Sequence, residues 1–243
     1  MTPRITIATA ARVLRQVRHD PRTIALIVGL PCVLIGLVAW MFDGTPTLDS
    51  IGPALLGLFP LTVMFLITSV TMLRERLSGT LERLMTMPVG RGDIVVGYGL
   101  AFGLLATVQA VVVATFAIAV CGMNVAGPVW AVVVVAVLNA VLGTVLGLAA
   151  SVAARTEFQA VQMMPALIFP QAILCGLLLP RDQLPAVLEA ISTVLPLTYG
   201  VDAMQQLATN PDVGAISGDV AIIVGFIVVA VVLGATTLRR RTA

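Results

Sequence analysis

"IGPALLGLFPLTVMFLITSVTML", residues 51–73, runs without a charged side chain, and "RERLSGTLERLMTMPVGRGD", residues 74–93, follows at once with four arginines and three acidic residues. A hydrocarbon layer about 30 Å thick needs roughly 20 apolar residues in helical form to cross it. The first stretch therefore reads as a membrane span and the second as the wet segment at its end. The pattern recurs along the chain, with charge-free apolar runs at residues 23–41, 51–73, 94–121, 129–153, 160–179 and 220–238. Of the 243 residues, 59% are hydrophobic and 11% charged, and the mean hydropathy is +1.06. Helices satisfy their own backbone polar groups in lipid, and these runs are about twice as long as a barrel strand. The expected fold is an all-α integral membrane protein with six transmembrane helices in one domain, residues 1–243.

Arginine placement orients the bundle, because cytoplasmic loops collect basic residues. Arg4, Arg12, Arg15, Arg18 and Arg22 precede the first run, and Arg239, Arg240 and Arg241 follow the last. Both termini are thereby expected on the cytoplasmic side of the cell inner membrane, together with residues 74–93 and 154–159. Of the arginines, only Arg181 falls outside, among Asp43, Asp49, Asp182, Glu189, Asp202, Asp212 and Asp219.

Three segments between the spans carry a pattern. In residues 1–22, Ile7, Ala10, Val13, Leu14 and Val17 share one side of a helix, while Arg12, Arg15 and Arg18 fall on the other, as in an amphipathic interfacial helix. In residues 74–93, Leu77, Leu81 and Leu84 share a face that leaves Glu75, Glu82 and Arg83 for water or a partner; Ser78 or Thr80 can cap such a helix and Pro88 ends it. In residues 180–217, Pro185 and Pro196 bracket a short apolar helix, and a second runs to the turn at Asn210 and Pro211. Both are too short to cross, so a re-entrant hairpin on the outer side is expected, with Leu188, Ile191 and Leu195 as its buried face.

Catalytic chemistry is not indicated. A P-loop needs a lysine, and all 14 basic residues are arginine. His19 cannot hold a metal by itself, the cysteines at 32, 121 and 175 lie in or beside apolar runs, and nucleic acid is not implied by a net charge of +2. The spans hold no ionisable proton relay. They do hold four amides, Gln109, Asn139, Gln162 and Gln171, which can bond across helices or line a pathway. Gly99 with Gly103, and Gly143 with Gly147, have the spacing of close helix contacts.

Two motifs in this order resemble the permease subunits of type-2 ATP-binding-cassette exporters, particularly the drug-resistance branch. "RERLSGTLERLMTMPVGRGDIVVGY" is similar to that family's charged run, Gly-Thr-Leu-Glu, proline and basic residue before the third span. "LPRDQLPAVLEAISTVLPLTYGVDAMQQL" is similar to its Leu-Pro pair, apolar helix, Pro-Leu-Thr-Tyr and Asp. The resemblance covers nearly the whole chain, with arginine where lysine is common. It implies a cytoplasmic coupling helix that transmits movement from an ATPase, with Arg74, Glu75, Arg76, Gly79, Thr80, Leu81, Glu82, Arg83 and Pro88 as the coupling residues. It also implies an external gate at Pro185, Leu188, Ile191, Leu195, Pro196, Tyr199 and Asp202. Two ATPase subunits holding ATP and Mg, and a second permease copy or a paralogue, would complete a transporter, this chain holding no cofactor or metal and no enzymatic activity of its own. The uncharged spans favour a hydrophobic or amphipathic cargo, drug or lipid-like, moved out of the cell. Glycan or lipid-linked polysaccharide export, or a non-transporting membrane partner that recruits an ATPase, are the alternatives.

Overall fold

The computed structural model describes residues 3–43, 45, 47–79 and 91–240, with the backbone alone described at 5, 91–95 and 233–240. The regular structure of these residues is entirely helical, and no strand occurs among them. Helix α1 is Pro3–Arg18. Asp20 then caps α2, Pro21–Met41, accepting from the Arg22 and Thr23 amides, with Pro21 in the first turn where its missing N–H costs nothing. Helix α3, Thr47–Leu77, is followed by α4, Arg91–Thr115, which continues through a π-turn at Phe116–Val120. Then come α5, Val129–Ala153, and α6, Glu157–Leu174; the short α7, Ala186–Ser192; α8, Pro196–Thr209; and α9, Ser217–Arg240.

Five helical segments are long and apolar enough to cross a membrane: Pro21–Met41, Thr47–Leu77, Val96–Val120, Val129–Ala153 and Val213–Val232. They coincide with five of the six expected runs. The remaining run, 160–179, is helical only as far as Leu174. Helix α6 carries Pro165 and Pro170 and three glutamines, and the chain leaves it through Gly176 at φ +89°, a left-handed conformation that favours glycine.

Helices α3 and α5 form the centre of the bundle and run in the same direction. Asn139, Gly143 and Gly147, one helical repeat of four apart, meet Gly57, Leu61 and Phe65 of α3. A Cβ at Gly143 or Gly147 would run into the carbonyl oxygens of Leu61 or Phe65, so this glycine pair is the close contact its spacing suggests. Gly99 and Gly103 on α4 are different. A Cβ at either meets nothing within 4 Å, so within this chain they form no such contact.

The amphipathic α1 has a partner within the bundle. It packs along α4, where Thr6 and Thr9 close over Gly97. Its buried face is Thr6, Thr9, Ala10, Val13 and Val17, rotated from the expected one, and Ile7 is 64% exposed. The rotation follows from the partner: Gly97 leaves room for the small threonines, and a larger Ile would not fit that notch.

Candidate functional site

At the arginine-rich end of the bundle, Arg74, Glu75 and Arg76 occupy the last turn of α3. Consecutive residues on an α-helix project about 100° apart, so the three side chains leave in three directions. Arg74 grips Glu157 in the first turn of α6 with two parallel bonds of 2.8 Å each, from Nε and Nη2. Arg76 donates through Nη1 to the Ser151 carbonyl of α5. Glu75 turns inward and is 7% exposed. Its Oε2 accepts from the Tyr98 hydroxyl of α4 at 2.8 Å and pairs with Arg12 Nη2 of α1 at 3.4 Å. Arg12 also donates to the Tyr98 oxygen, with its guanidinium carbon 5.7 Å from that ring's centroid. Three adjacent residues thus tie α3 to α1, α4, α5 and α6.

The clamp needs each partner. A buried carboxylate is stable only when paired and hydrogen-bonded, which Arg12 and Tyr98 supply. Glu157 is held below its ordinary carboxylate range by the Arg74 guanidinium. Arg15 and Arg18 remain exposed on the outer side of α1, so Arg12 alone among the three expected there turns into the bundle.

Beyond the clamp, Ser78 and Gly79 end α3. Gly79 adopts φ +69°, and the Ser78 and Gly79 amides bond back to the Arg74 and Arg76 carbonyls. Leu77 therefore belongs to α3 and precedes the left-handed turn at Gly79. Thr80, Leu81, Glu82, Arg83, Leu84 and Pro88 lie outside the described residues.

At the opposite end, the segment after α6 folds back as α7 and α8. Arg181 Nη1 pairs with Asp202 Oδ2 of α8, and its Nε donates to Ser192 Oγ at the end of α7 at 3.2 Å. Ser192 is fully buried, and the two ionic side chains are 25% and 21% exposed. The Gly176 carbonyl accepts from Gln205, and Gln206 donates to Asp219 at 2.8 Å. Pro185 immediately precedes α7 and Pro196 is the first residue of α8. Tyr199 donates to the Thr193 carbonyl at 2.6 Å and tilts against Phe226 of α9.

The buried side of this hairpin is not where the pattern placed it. Leu188 and Ile191 are 38% and 45% exposed and Leu195 is half-buried; the core contacts come from Leu197, Val201, Met204 and Leu207 of α8. Helix α7 is only seven residues long and is held by its polar end. Arg181 and Ser192 did not emerge from pattern reading. The signal was an arginine alone among outer acids, which in a desolvated place needs a carboxylate partner.

No hydrogen bond joins any two of the four amides among the described residues. Asn139 is fully buried against Gly57 and the backbone of Gly200 with both amide atoms unpaired; Gln109 is buried and unpaired on α4. Gln171 bonds the Leu167 carbonyl at 2.9 Å and accepts from Leu197 N in the first turn of α8 at 3.4 Å. Gln162 is exposed near the start of α6. No group of three metal-ligating side chains occurs among the described residues.

The sequence is similar to known transport proteins. It is 31% identical over 160 residues to ABC transporter G family member 20 of Dictyostelium discoideum, covering 66% of this chain and 22% of that protein. It is 25% identical over 165 residues to the probable multidrug ABC transporter permease YbhR of Escherichia coli, covering 67% of this chain and 45% of YbhR. Against YbhS of the same bacterium it is 25% identical over 146 residues, 58% of this chain and 38% of YbhS. The matched region is less than half the length of each of these curated relatives. The ABC-2 type transporter family is matched over residues 5–208, from α1 through α8 and including both the clamp and the hairpin, and the chain belongs to that family.

Proposed function

We propose that this chain is the membrane-spanning permease of an ATP-driven exporter that moves hydrophobic or amphipathic compounds outward. Two separate ATPase subunits binding ATP and Mg, and a second permease copy or paralogue, complete the transporter. The clamp carries the reading. Residues 74–76 stand where the coupling segment leaves the bundle, and each is bonded to a different helix or helix pair, so a push on that segment is delivered to α1, α4, α5 and α6 together. A loop serving topology alone needs no such fixture. The arginine-rich end then faces the cytoplasm in a cell inner membrane, α6 with the following turn supplies a sixth crossing, and the hairpin closes the outer end until cargo leaves.

Purified permease with its co-expressed ATPase, reconstituted in lipid, tests this reading by the response of ATP hydrolysis to amphipathic compounds. Compounds should stimulate hydrolysis in the wild type, and Glu75→Gln should lower that stimulation while the two subunits still co-purify. Unstimulated hydrolysis across a chemically broad set, with no compound accumulating in inside-out vesicles, would return the chain to a non-transporting role.

A further inference from the structure

The elbow between α5 and α6 opens a groove of about 560 Å³ that none of the contacts above uses. Its lining includes Ala153, Arg155, Gln159, Gln162, Met163 and Ala166. The chemistry is graded. Arg155 precedes α6, Gln159 and Gln162 follow along its first turns, and Met163 and Ala166 come next toward the middle of the helix. Residues 159 to 166 span about 10 Å of helix axis, enough to cross the polar interfacial band and enter the hydrocarbon.

The polar groups at this groove offer donors. Arg155 is exposed and has no ion-pair partner among the described residues. Its backbone N–H donates to Gln159 Oε1 at 2.9 Å, which occupies the carbonyl side of that amide and leaves the NH₂ group. Gln162 is exposed and without a hydrogen bond among the described residues, so its amide can donate as well. Glu157, two residues along the chain from Arg155, has both oxygens taken by Arg74.

We infer that this groove binds an anionic phospholipid of the leaflet at the arginine-rich end of the bundle, with the phosphate on Arg155 and the Gln159 and Gln162 amides and an acyl chain along Met163 and Ala166. The site belongs to the permease itself and does not depend on what the transporter exports.

The test is native mass spectrometry of the full chain purified from mixed phosphatidylglycerol and phosphatidylcholine, counting retained lipid. Wild type should retain phosphatidylglycerol in preference to phosphatidylcholine. Arg155→Gln should reduce that retention about fivefold, the effect of one arginine near an anionic surface. Arg155→Lys should keep most of it, and Gln162→Leu should weaken it less. Arg18→Gln, an exposed arginine of α1, should leave it unchanged. Equal retention of both lipids, or an equal drop in Arg18→Gln and Arg155→Gln, would reduce the effect to diffuse surface charge and overturn the site. Displacement of the retained lipid by millimolar glycerol phosphate would reassign the groove to a soluble anion. Loss of the preference whenever the ATPase is bound would reassign it to protein docking.

Discussion

Glu75 is a carboxylate 7% exposed at the end of a span, and its stability rests on two neighbours from other helices. Removing Arg12 leaves a buried charge with only a phenol. Arg12→Ala should cost about 2–3 kcal/mol, under the roughly 3–5 typical of a fully buried pair because Arg12 is itself partly exposed. Tyr98→Phe should cost about 1–2 kcal/mol, one hydrogen bond to a charged group. In a double-mutant cycle, Arg12→Ala combined with Glu75→Gln should be milder than the sum, because the glutamine needs no counter-charge. The loss of melting temperature of the detergent-solubilised protein reads all of these, and strict additivity would show that the pair is not coupled. Glu157 behaves differently. Its carboxyl is depressed in the fold by Arg74, so its contribution is present above the ordinary value of 4.5 and fades as pH falls through the lowered folded value. The pair is exposed, so that contribution is under about 1 kcal/mol. Sequence reading named Arg74, Glu75 and Arg76 only as coupling residues and left Glu75 for water or a partner, since hydrophobic spacing says which side of a helix is polar and nothing about a counter-charge 63 residues away.

At the scale of elements, legibility depended on whether a helix is governed by its own sequence or by its neighbour. Five membrane-length helices are readable because length and charge exclusion act locally. The end of α6 and the burial of α8 rather than α7 were not readable, because a left-handed glycine at 176 and a docking surface on α3 and α5 decide them. The α3–α5 seam is a case in between: the Gly143 and Gly147 spacing announced a close contact but not its partner. Gly147→Val should force the two backbones apart, costing about 1–3 kcal/mol, whereas Gly103→Val, with open space around its Cβ, should be nearly neutral. Thermal melts of the two variants check this contrast. The hairpin offers a second prediction. If Arg181 and Asp202 latch it, Arg181→Asp and Asp202→Arg should each raise unstimulated ATP hydrolysis or lower export, and the swapped double variant should recover part of the loss. Failure of both single variants to alter either quantity would make the pair a local staple with no part in gating.

For the whole molecule, two sets of contacts define two ends independently of any membrane. At one end, Asp49 accepts from the Asn124 amide at 2.7 Å, and the Gly127 amide donates to the Leu207 carbonyl at 2.8 Å, gathering the start of α3, the loop before α5 and the end of α8. At the other stand Arg12, Arg74, Arg76, Tyr98, Ser151 and Glu157. Between them, α2, α4 and α9 turn apolar side chains outward, such as Leu26, Leu30, Val33 and Leu37 along α2 and Val228, Val229 and Val232 on α9, a surface suited to lipid or a second permease and costly in water. Geometry alone does not say which end is inside. The proposed orientation puts the clamp end inside, because residues on that end and in the segments joined to it carry nearly all of the positive charge. Single cysteines placed at the exposed Asp43 and Asp182, in a protein whose Cys32, Cys121 and Cys175 are replaced by alanine, should react with a membrane-impermeant maleimide added to intact cells. Cysteines at Arg18 and Arg155 should react only after the membrane is opened. Both outer positions must label together, since the contacts put their segments at one end. Labelling of Arg155→Cys from outside, with Asp182→Cys protected, would keep the bundle intact and invert it, and with it the direction in which the clamp could receive force.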